Sequence, residues 1–291
     1  MGVSDLAAFA AAVGAEGPVT IAGRSTRGGA VPGVRAVAAP IGIEWVQADE
    51  MTACCGAGTP VDDLSAALAE HGQGVALPAG GTVGGALAVG QSDVRRLGWG
   101  PVRDTLLQAR YVSAAGAVVR AGGPTVKNVS GFDLCRLLVG SRGSLGFIGE
   151  VIVRTRPLPA MSQWHRLDGV DAAGISSLFA SLYRPSSVLW DGATAWVLLE
   201  GHGDDVAEQA ARNRLEPCAG SPPLPTGSRR SVPPSALAAL SGTFVAEMGV
   251  GIVHHAEPWT HPGRDERAAR VADDLKRRFD PSGRLNPGVM P

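Results

Sequence analysis

Residues 80–90 read GGTVGGALAVG, with five glycines in eleven positions, and QSDVRRLGWGPVRD follows them. Glycine has no Cβ, so so dense a cluster marks a place where the backbone comes close to something else. Two generic phosphate motifs specify spacings that can be tested directly. A Walker-type loop needs GxxxxGK followed by Ser or Thr, and the chain contains no such string. The fingerprint GxGxxG is also missing from 80–90, where the glycines come as two adjacent pairs. What remains is a glycine turn opening a helix near Thr82, whose N-terminal amides could face an anion. A second loop of this character, AGRSTRGG at 22–29, adds the Ser25 and Thr26 hydroxyls and two arginines. Two such loops could wrap a diphosphate from two sides; the residues alone equally allow two ordinary surface turns in a glycine-rich protein.

The surrounding chain has 291 residues, 45% of them hydrophobic, enough for one large domain or two modest ones with a real core. A net charge of -1 gives no bulk electrostatic reason to expect nucleic acid or an anionic membrane as partner. Asp5 stands where a signal peptide would carry positive charge, and no apolar run reaches the length of a membrane span. The expectation is a cytoplasmic protein. Cys54, Cys55, Cys135 and Cys218 lack CxxC or zinc spacing, so they are expected as packing residues and no metal site is expected.

Periodicity predicts a helix over 4–15, a strand at 18–23, a helix at 62–71 capped by Asp62, and a hairpin of ARYVSAAG with AVVRAGG. A short helix, DLCRLLVG, then precedes a long strand from Phe147 to Arg156, ended by Pro157 and Pro159. A domain boundary is placed there. Beyond it come a strand, a helix near 171–183, strands SVLWD and TAWVLLEG, a helix over 203–215 and a single strand TFVAEMGVGIVHH. That order suggests a small βαβ-type layer with helices on one face. The proline-rich stretch 217–235 reads as loop. The tail predicts a helix over 265–279 with Ala268, Val271, Ala272, Leu275 and Phe279 on one face, then the turn-rich DPSGRLNPG.

Four strings in order, GAGTPVDDLSAALAEHGQ, LPAGGTVGGALAVGQSDVRRLGWGPVRD, GGPTVKNVSGFDLCRLLVGSRGSLGFIGEV and FDPSGRLNPG, resemble the vanillyl-alcohol oxidase/PCMH flavoprotein superfamily. Within it they are similar to the FAD-binding subunits of glycolate oxidase, over roughly residues 18–159 plus the last dozen. The resemblance implies an α+β fold: a two-lobed PCMH-type FAD-binding domain at 1–159, a smaller α+β cap or substrate domain at 160–264, and a helix and tail at 265–291 returning to the FAD domain. It implies FAD at Gly23, Arg24, Ser25, Thr26 and Arg27, then at Pro78, Gly81, Thr82, Val83, Gly84 and Gly85. It continues the site through Gln91, Ser92, Gly100, Val102 and Asp104 to Gly143, Gly146, Ile148 and Asn286. The string GFD at 131–133 departs from the usual GYD, and no histidine is placed for covalent flavin attachment, so FAD is expected to be non-covalent.

The implied reaction oxidises a small 2-hydroxy acid, which needs a cationic clamp for the carboxylate and a base for the hydroxyl. Arg95, Arg96 and Arg103 are clamp candidates. His254 and His255 are the base candidates, and adjacent strand residues face opposite ways, so at most one can serve. Catalytic relatives carry a string resembling HxGDGNxH there, of which GVGIVHHAEP is a remnant. Asp133 and Glu150 are expected to orient backbone, Lys127 and Asn128 to sit near the flavin ring, and Trp99 to pack in a core or on the cofactor. Implied partners are a second FAD subunit and an iron–sulfur subunit, with any membrane association peripheral and through them. Two other readings stand beside this one: a non-catalytic FAD-bearing relay or scaffold subunit, and a reductase of the UDP-N-acetylenolpyruvoylglucosamine type.

Overall fold

The structure, a computed structural model, describes residues 6–124, 133–259 and 265–291. The elements run α1 (Leu6–Val13), β1 (Val19–Ala22), β2 (Arg35–Ala38), β3 (Ile43–Gln47), β4 (Thr52–Gly56), α2 (Val61–Ala69), β5 (Gln73–Val75) and α3 (Val83–Val89). They continue with α4 (Arg96–Trp99), β6 (Leu106–Val112), β7 (Val118–Gly122), α5 (Leu134–Leu138), β8 (Phe147–Pro157), β9 (Met161–Asp168), α6 (Ala172–Ser181), β10 (Ser187–Trp190) and β11 (Thr194–Gly201). The last are α7 (Gly203–Arg212), β12 (Glu216–Pro217), β13 (Ser228–Ser231), β14 (Phe244–Glu247), β15 (Ile252–His255) and α8 (Glu266–Phe279). This is a mixed α+β protein.

Two compact units share these elements. The first holds Met1–Asp93, Pro101–Leu158 and Arg264–Pro291; the second holds Val94–Gly100 and Pro159–Gly263. The second unit therefore takes a short segment, with α4, out of the stretch that sequence reasoning assigned to the first domain. Lys127, Asn128, Gly131 and Phe132 lie outside the described residues.

In the first unit β1 and β2 pair in parallel, and a second sheet runs β3-β4-β8-β6-β7, with β5 added along β8. β4, TACCG, is buried throughout because it is an interior strand between β3 and β8. Cys55 faces the core made by α2, α3 and α5, while Cys54 faces the other side. α2 buries Val61, Leu64 and Leu68, one helical stripe. Asp62 does not cap this helix, as sequence had suggested. Pro60 holds the N-cap position, and the Asp62 Oδ1 instead accepts the Gly80 amide at 3.0 Å. A cap must sit just outside the first turn; Asp62 is already inside it.

The tail is stitched into this unit. Leu285 bridges to Val19 as an added parallel contact. Arg284, 4% exposed, donates all its guanidinium hydrogen bonds to the carbonyls of Val13, Gly14, Glu16, Gly17 and Ala114. Of the face expected for α8, Ala272 is buried and Leu275 and Phe279 are half-buried, whereas Ala268 and Val271 are exposed. Lys276 joins the inward side, its Nζ held by Asp280 and by the carbonyls of Ser144 and Leu285, all within 2.9 Å.

In the second unit one sheet runs β12-β9-β11-β10-β14-β15-β13, every pair antiparallel. β11 lies between β9 and β10, so the expected βαβ layer is split by an antiparallel strand. One face packs on α6 and α7 through Ile175, Leu178, Val206 and Ala210. The stretch expected as a single strand, 243–255, is a hairpin of β14 and β15. Gly249 and Gly251 both take φ +74, the left-handed conformation that reverses the chain and that only glycine adopts freely. The stretch 217–235, expected as loop, supplies the two short edge strands β12 and β13.

α3 can lie on β4's turn only because Gly84 has no side chain: a Cβ there would sit 2.8 Å from the Ala57 Cβ and 2.9 Å from its carbonyl oxygen. Gly84→Ala is expected to lower the stability of the full chain by about 1–3 kcal/mol in a chemical denaturation midpoint, despite raising helix propensity. An unchanged or higher midpoint would show that α3 can shift freely.

Candidate functional site

The first unit contains a cavity of about 570 Å³, within the usual size of a cofactor site. Its wall takes Gly23–Gly29 from the loop after β1, Gly58 and Pro60 from the turn after β4, Thr82, Gly84 and Gly85 from α3, Ser141–Gly143, Gly146 and Ile148 from the turn before β8, and Asn286. Of the residues expected to bind FAD, Gly23, Arg24, Ser25, Thr26, Arg27, Thr82, Gly84, Gly85, Gly143, Gly146, Ile148 and Asn286 therefore converge on one space. Pro78, Gly81, Val83, Gln91, Ser92, Gly100, Val102 and Asp104 stand outside this wall. Ser92 Oγ accepts the Val102 amide at 3.1 Å, Asp104 faces Arg103 and Arg136, and Gly100 belongs to the second unit.

The two glycine loops are tied together directly. Arg27 donates from Nη1 to the Gly80 carbonyl at 2.8 Å and from Nη2 to Pro78 and Ala79 at 2.9 and 2.6 Å. Gly81, at φ +68, lies so close to Thr26 and Arg27 that no Cβ fits. Burial lowers the Arg27 pKa and the nearby Asp62 carboxylate opposes that shift.

The first-turn amides of α3 do not face an anion. Val83 and Gly84 donate to the carbonyls of Thr59 and Ala57, and Gly85 donates to Thr82 Oγ1, its N-cap. The glycines of 80–90 are thus close mainly to the protein itself. Open space lies instead over the first loop, where a Cβ at Gly28 would meet nothing within 4 Å and one at Gly29 only the Ser25 hydroxyl.

Asn286 locks the opposite wall. Its Oδ1 accepts from Thr20 Oγ1 at 2.8 Å and from the Ile21 amide at 3.1 Å, and its Nδ2 donates to the Arg142 carbonyl at 2.7 Å. Gly58, Arg142 and Val289 were not singled out by sequence reasoning. The string GAGTP contained the signal for Gly58, since a Cβ there would strike the Ala39 and Pro40 carbonyls. Amide-bearing loops without Cβ atoms, arginines on the wall and a cofactor-sized volume fit an anionic dinucleotide.

The proposed clamp and base residues all lie in the second unit, except Arg103. Arg95 pairs with Glu200 at 3.2 Å and lies over the Trp99 ring, whose Nε1 donates to the same carboxylate at 2.6 Å. His254 and His255 take opposite faces of β15, as strand geometry requires. His255 packs against Phe244 and Arg230; burial and the Arg230 charge lower its pKa. His254 Nε2 lies 2.8 Å from Glu247 Oε1, and both residues are buried. Glu247 and His254 are the ends of EMGVGIVH, which shares only Gly249, Gly251 and His254 with the string HxGDGNxH, and the hairpin brings these ends together. The other Glu247 oxygen is buried without a hydrogen-bond partner. Arg229 pairs with His254 across β13 and β15. Desolvation lowers its pKa, Glu247 raises it, and Arg96 lowers it.

Asp133 caps α5 through the Arg136 amide, and Glu150 pairs with Arg110 at 3.4 Å. Among the described residues one group, Glu44, Cys54 and Glu150, brings three atoms able to bind a metal, two carboxylate oxygens and a thiol sulfur, within 4.8 Å of one another. Burial and the two carboxylates push the Cys54 thiol up to about 12, and Arg110 already balances Glu150.

These features define a flavoprotein: a two-unit α+β protein whose first unit encloses a glycine-walled dinucleotide cavity. The description "FAD binding domain" matches residues 4–122, and "FAD linked oxidases, C-terminal domain" matches 234–290. The chain belongs to the FAD-linked oxidases with a PCMH-type FAD-binding domain, and its cofactor is FAD. It is 34% identical to the glycolate oxidase subunit GlcE of Escherichia coli over 60% of this chain and 51% of that protein. It is 39% identical to the D-lactate dehydrogenase of Archaeoglobus fulgidus over 38% of this chain and 26% of that protein. It is 34% identical to the glycolate oxidase subunit GlcD of Bacillus subtilis over 37% and 24%. The chain thus spans between a quarter and half of these relatives' length. Among solved structures, an alkyldihydroxyacetonephosphate synthase superposes with a TM-score of 0.65 at 16% identity, over 93% of this chain and 71% of that one. No helix of the described residues is long and apolar enough to cross a membrane.

Two outcomes follow. Arg27→Met keeps the apolar stem but frees both loops, and FAD affinity is expected to fall about tenfold in a fluorescence titration; an unchanged dissociation constant would mean the loops are held elsewhere. Burial raises Cys54 and Cys55 to about 12 and Cys135 to about 11, so all three stay protonated at pH 8. Iodoacetamide should then label the half-exposed Cys218 first, as read by peptide mass mapping.

Proposed function

We propose that the chain is an FAD-dependent dehydrogenase of a small 2-hydroxy acid such as glycolate or lactate, working as a subunit of a glycolate oxidase-like complex. The observation that carries this is the glycine-walled FAD cavity, in a chain similar to glycolate oxidase subunits and a D-lactate dehydrogenase. When bound, FAD supplies the acceptor for the α-hydride of the hydroxy acid. The chain's residues bind, orient and move the proton.

His254 is its best base candidate. With Nε2–H donating to Glu247, Nδ1 is left to accept the hydroxyl proton, and Glu247 steadies the imidazolium that results. Arg96 and Arg229, in electrostatic reach of one another and Arg229 also of Glu247, are the carboxylate-binding candidates. Arg95 is committed to Glu200 and serves structure. Further partners would be a second FAD subunit, in keeping with the GlcD similarity, and an iron–sulfur subunit to which electrons pass.

A second reading, an FAD-bearing relay or scaffold subunit, draws support from the close engagement of His254 and Arg95 by protein carboxylates. The experiment that separates them is anaerobic addition of glycolate or D-lactate to the purified chain while the flavin band is recorded. Bleaching supports the dehydrogenase, and His254→Asn should slow it by about 10²–10⁴-fold. Bound flavin that stays oxidised until a partner subunit is added supports the relay.

A further inference from the structure

Three arginines stand on the cavity wall against one acid, Asp63. Arg27 is spent on the carbonyls of residues 78–80. Arg24 and Arg142 are both exposed, and neither guanidinium has a hydrogen-bond or ion-pair partner among the described residues. Arg142 is the unusual one. It holds φ +52, a left-handed backbone that a long side chain adopts only at a penalty and that glycine or asparagine would take readily. The conformation is pinned from both ends: its amide donates to the Ala88 carbonyl at 2.8 Å, and its carbonyl accepts from Asn286 Nδ2 at 2.7 Å. Gly143 follows at φ +73, with Asn286 Nδ2 2.7 Å from where its Cβ would be.

Among the described residues no hydrogen bond or ion pair rewards an arginine at this place. A residue that breaks a local backbone rule without an internal partner points to a contact with something else. An anionic group fits that contact best, because a guanidinium offers only donors and a fixed positive charge, and Arg142 lines the cavity.

We propose that Arg142, together with Arg24, holds the phosphate groups of FAD, and that its left-handed backbone persists because it aims this cation at the cavity. The inference rests on the FAD reading of the cavity and is independent of which substrate is oxidised.

The test uses the full chain stripped of flavin, with FAD dissociation constants measured by fluorescence titration across a range of salt concentrations. Arg142→Gly removes the cation while relieving the backbone. It is expected to weaken FAD binding by about tenfold or more and to flatten its salt dependence. The thermal midpoint of the flavin-free variant should be unchanged or higher. Arg142→Lys, which keeps the charge and loses the fork, should retain the salt slope with intermediate affinity. Arg184→Gly relieves a similar left-handed arginine, φ +46 in the second unit, and should change neither FAD affinity nor slope. Unchanged affinity in Arg142→Gly overturns the proposal, and so does a loss of affinity with the salt slope intact, which would indicate a role in cavity shape alone. A wild-type chain that took up no FAD would defeat the cofactor reading itself, a result distinguishable from both.

Discussion

The cavity depends on one fork of hydrogen bonds, from Arg27 to three successive carbonyls more than fifty residues ahead of it. Loops of glycine are entropically expensive to order, and each of these two would be mobile alone. Arg27 fixes them against each other, and the missing Cβ of Gly81 lets them touch. A charged donor serving three acceptors is a strong tie, since hydrogen bonds to ionised groups are worth roughly twice neutral ones. With the carbonyls of 78–80 turned to Arg27, the wall the loops form is presented in one conformation before any ligand arrives. Such preorganisation is what lets a site spend its binding energy on the ligand.

The same device closes the other side. Arg284, Lys276 and Asn286 gather carbonyls and amides from α1, β1 and the turn before β8, so the last residues of the chain act as a clasp on its first ones. Burying Arg284 lowers its pKa, and five carbonyl dipoles offset the desolvation. Cations used in this way carry no message about anions outside. Reading the charge of a site from the sequence therefore overcounts: of the three cavity arginines, Arg24 and Arg142 are available to a ligand and Arg27 is spent on carbonyls.

Much of this was legible in the residues. The helix over 62–71 and the long strand from Phe147 follow from local pattern, with Leu64 and Leu68 buried as their spacing implies, and the two glycine loops do converge as their residues allowed. What escaped was set by contacts far apart in sequence. The hairpin at 244–255 looks like one strand because its apolar pattern runs through Gly249 and Gly251, which alone reveal the reversal. Lys276 looks like surface until Asp280 and two carbonyls are brought to it. Asp62 looks like a cap until Gly80 is seen to need an acceptor. In each case a polar group was satisfied by a tertiary partner that no local window contains.

The glycines of 80–90 carry the wider point. Gly81 makes room for Arg27, Gly84 for Ala57 and Gly90 for the backbone of Gly140, while the helix amides they precede are bonded to β4's turn and to Thr82. Density of glycine thus reports close approach without saying to what. The loop that faces open space is the earlier one, at 23–29, where a Cβ at Gly28 would meet nothing within 4 Å and one at Gly23 or Gly29 would make only ordinary contact. The distinction between a glycine explained by packing and one left unexplained separates scaffold from site. The same logic applied in reverse to Arg142, a side chain where the backbone favours none, marks the place on the opposite wall where a ligand must supply the missing partner.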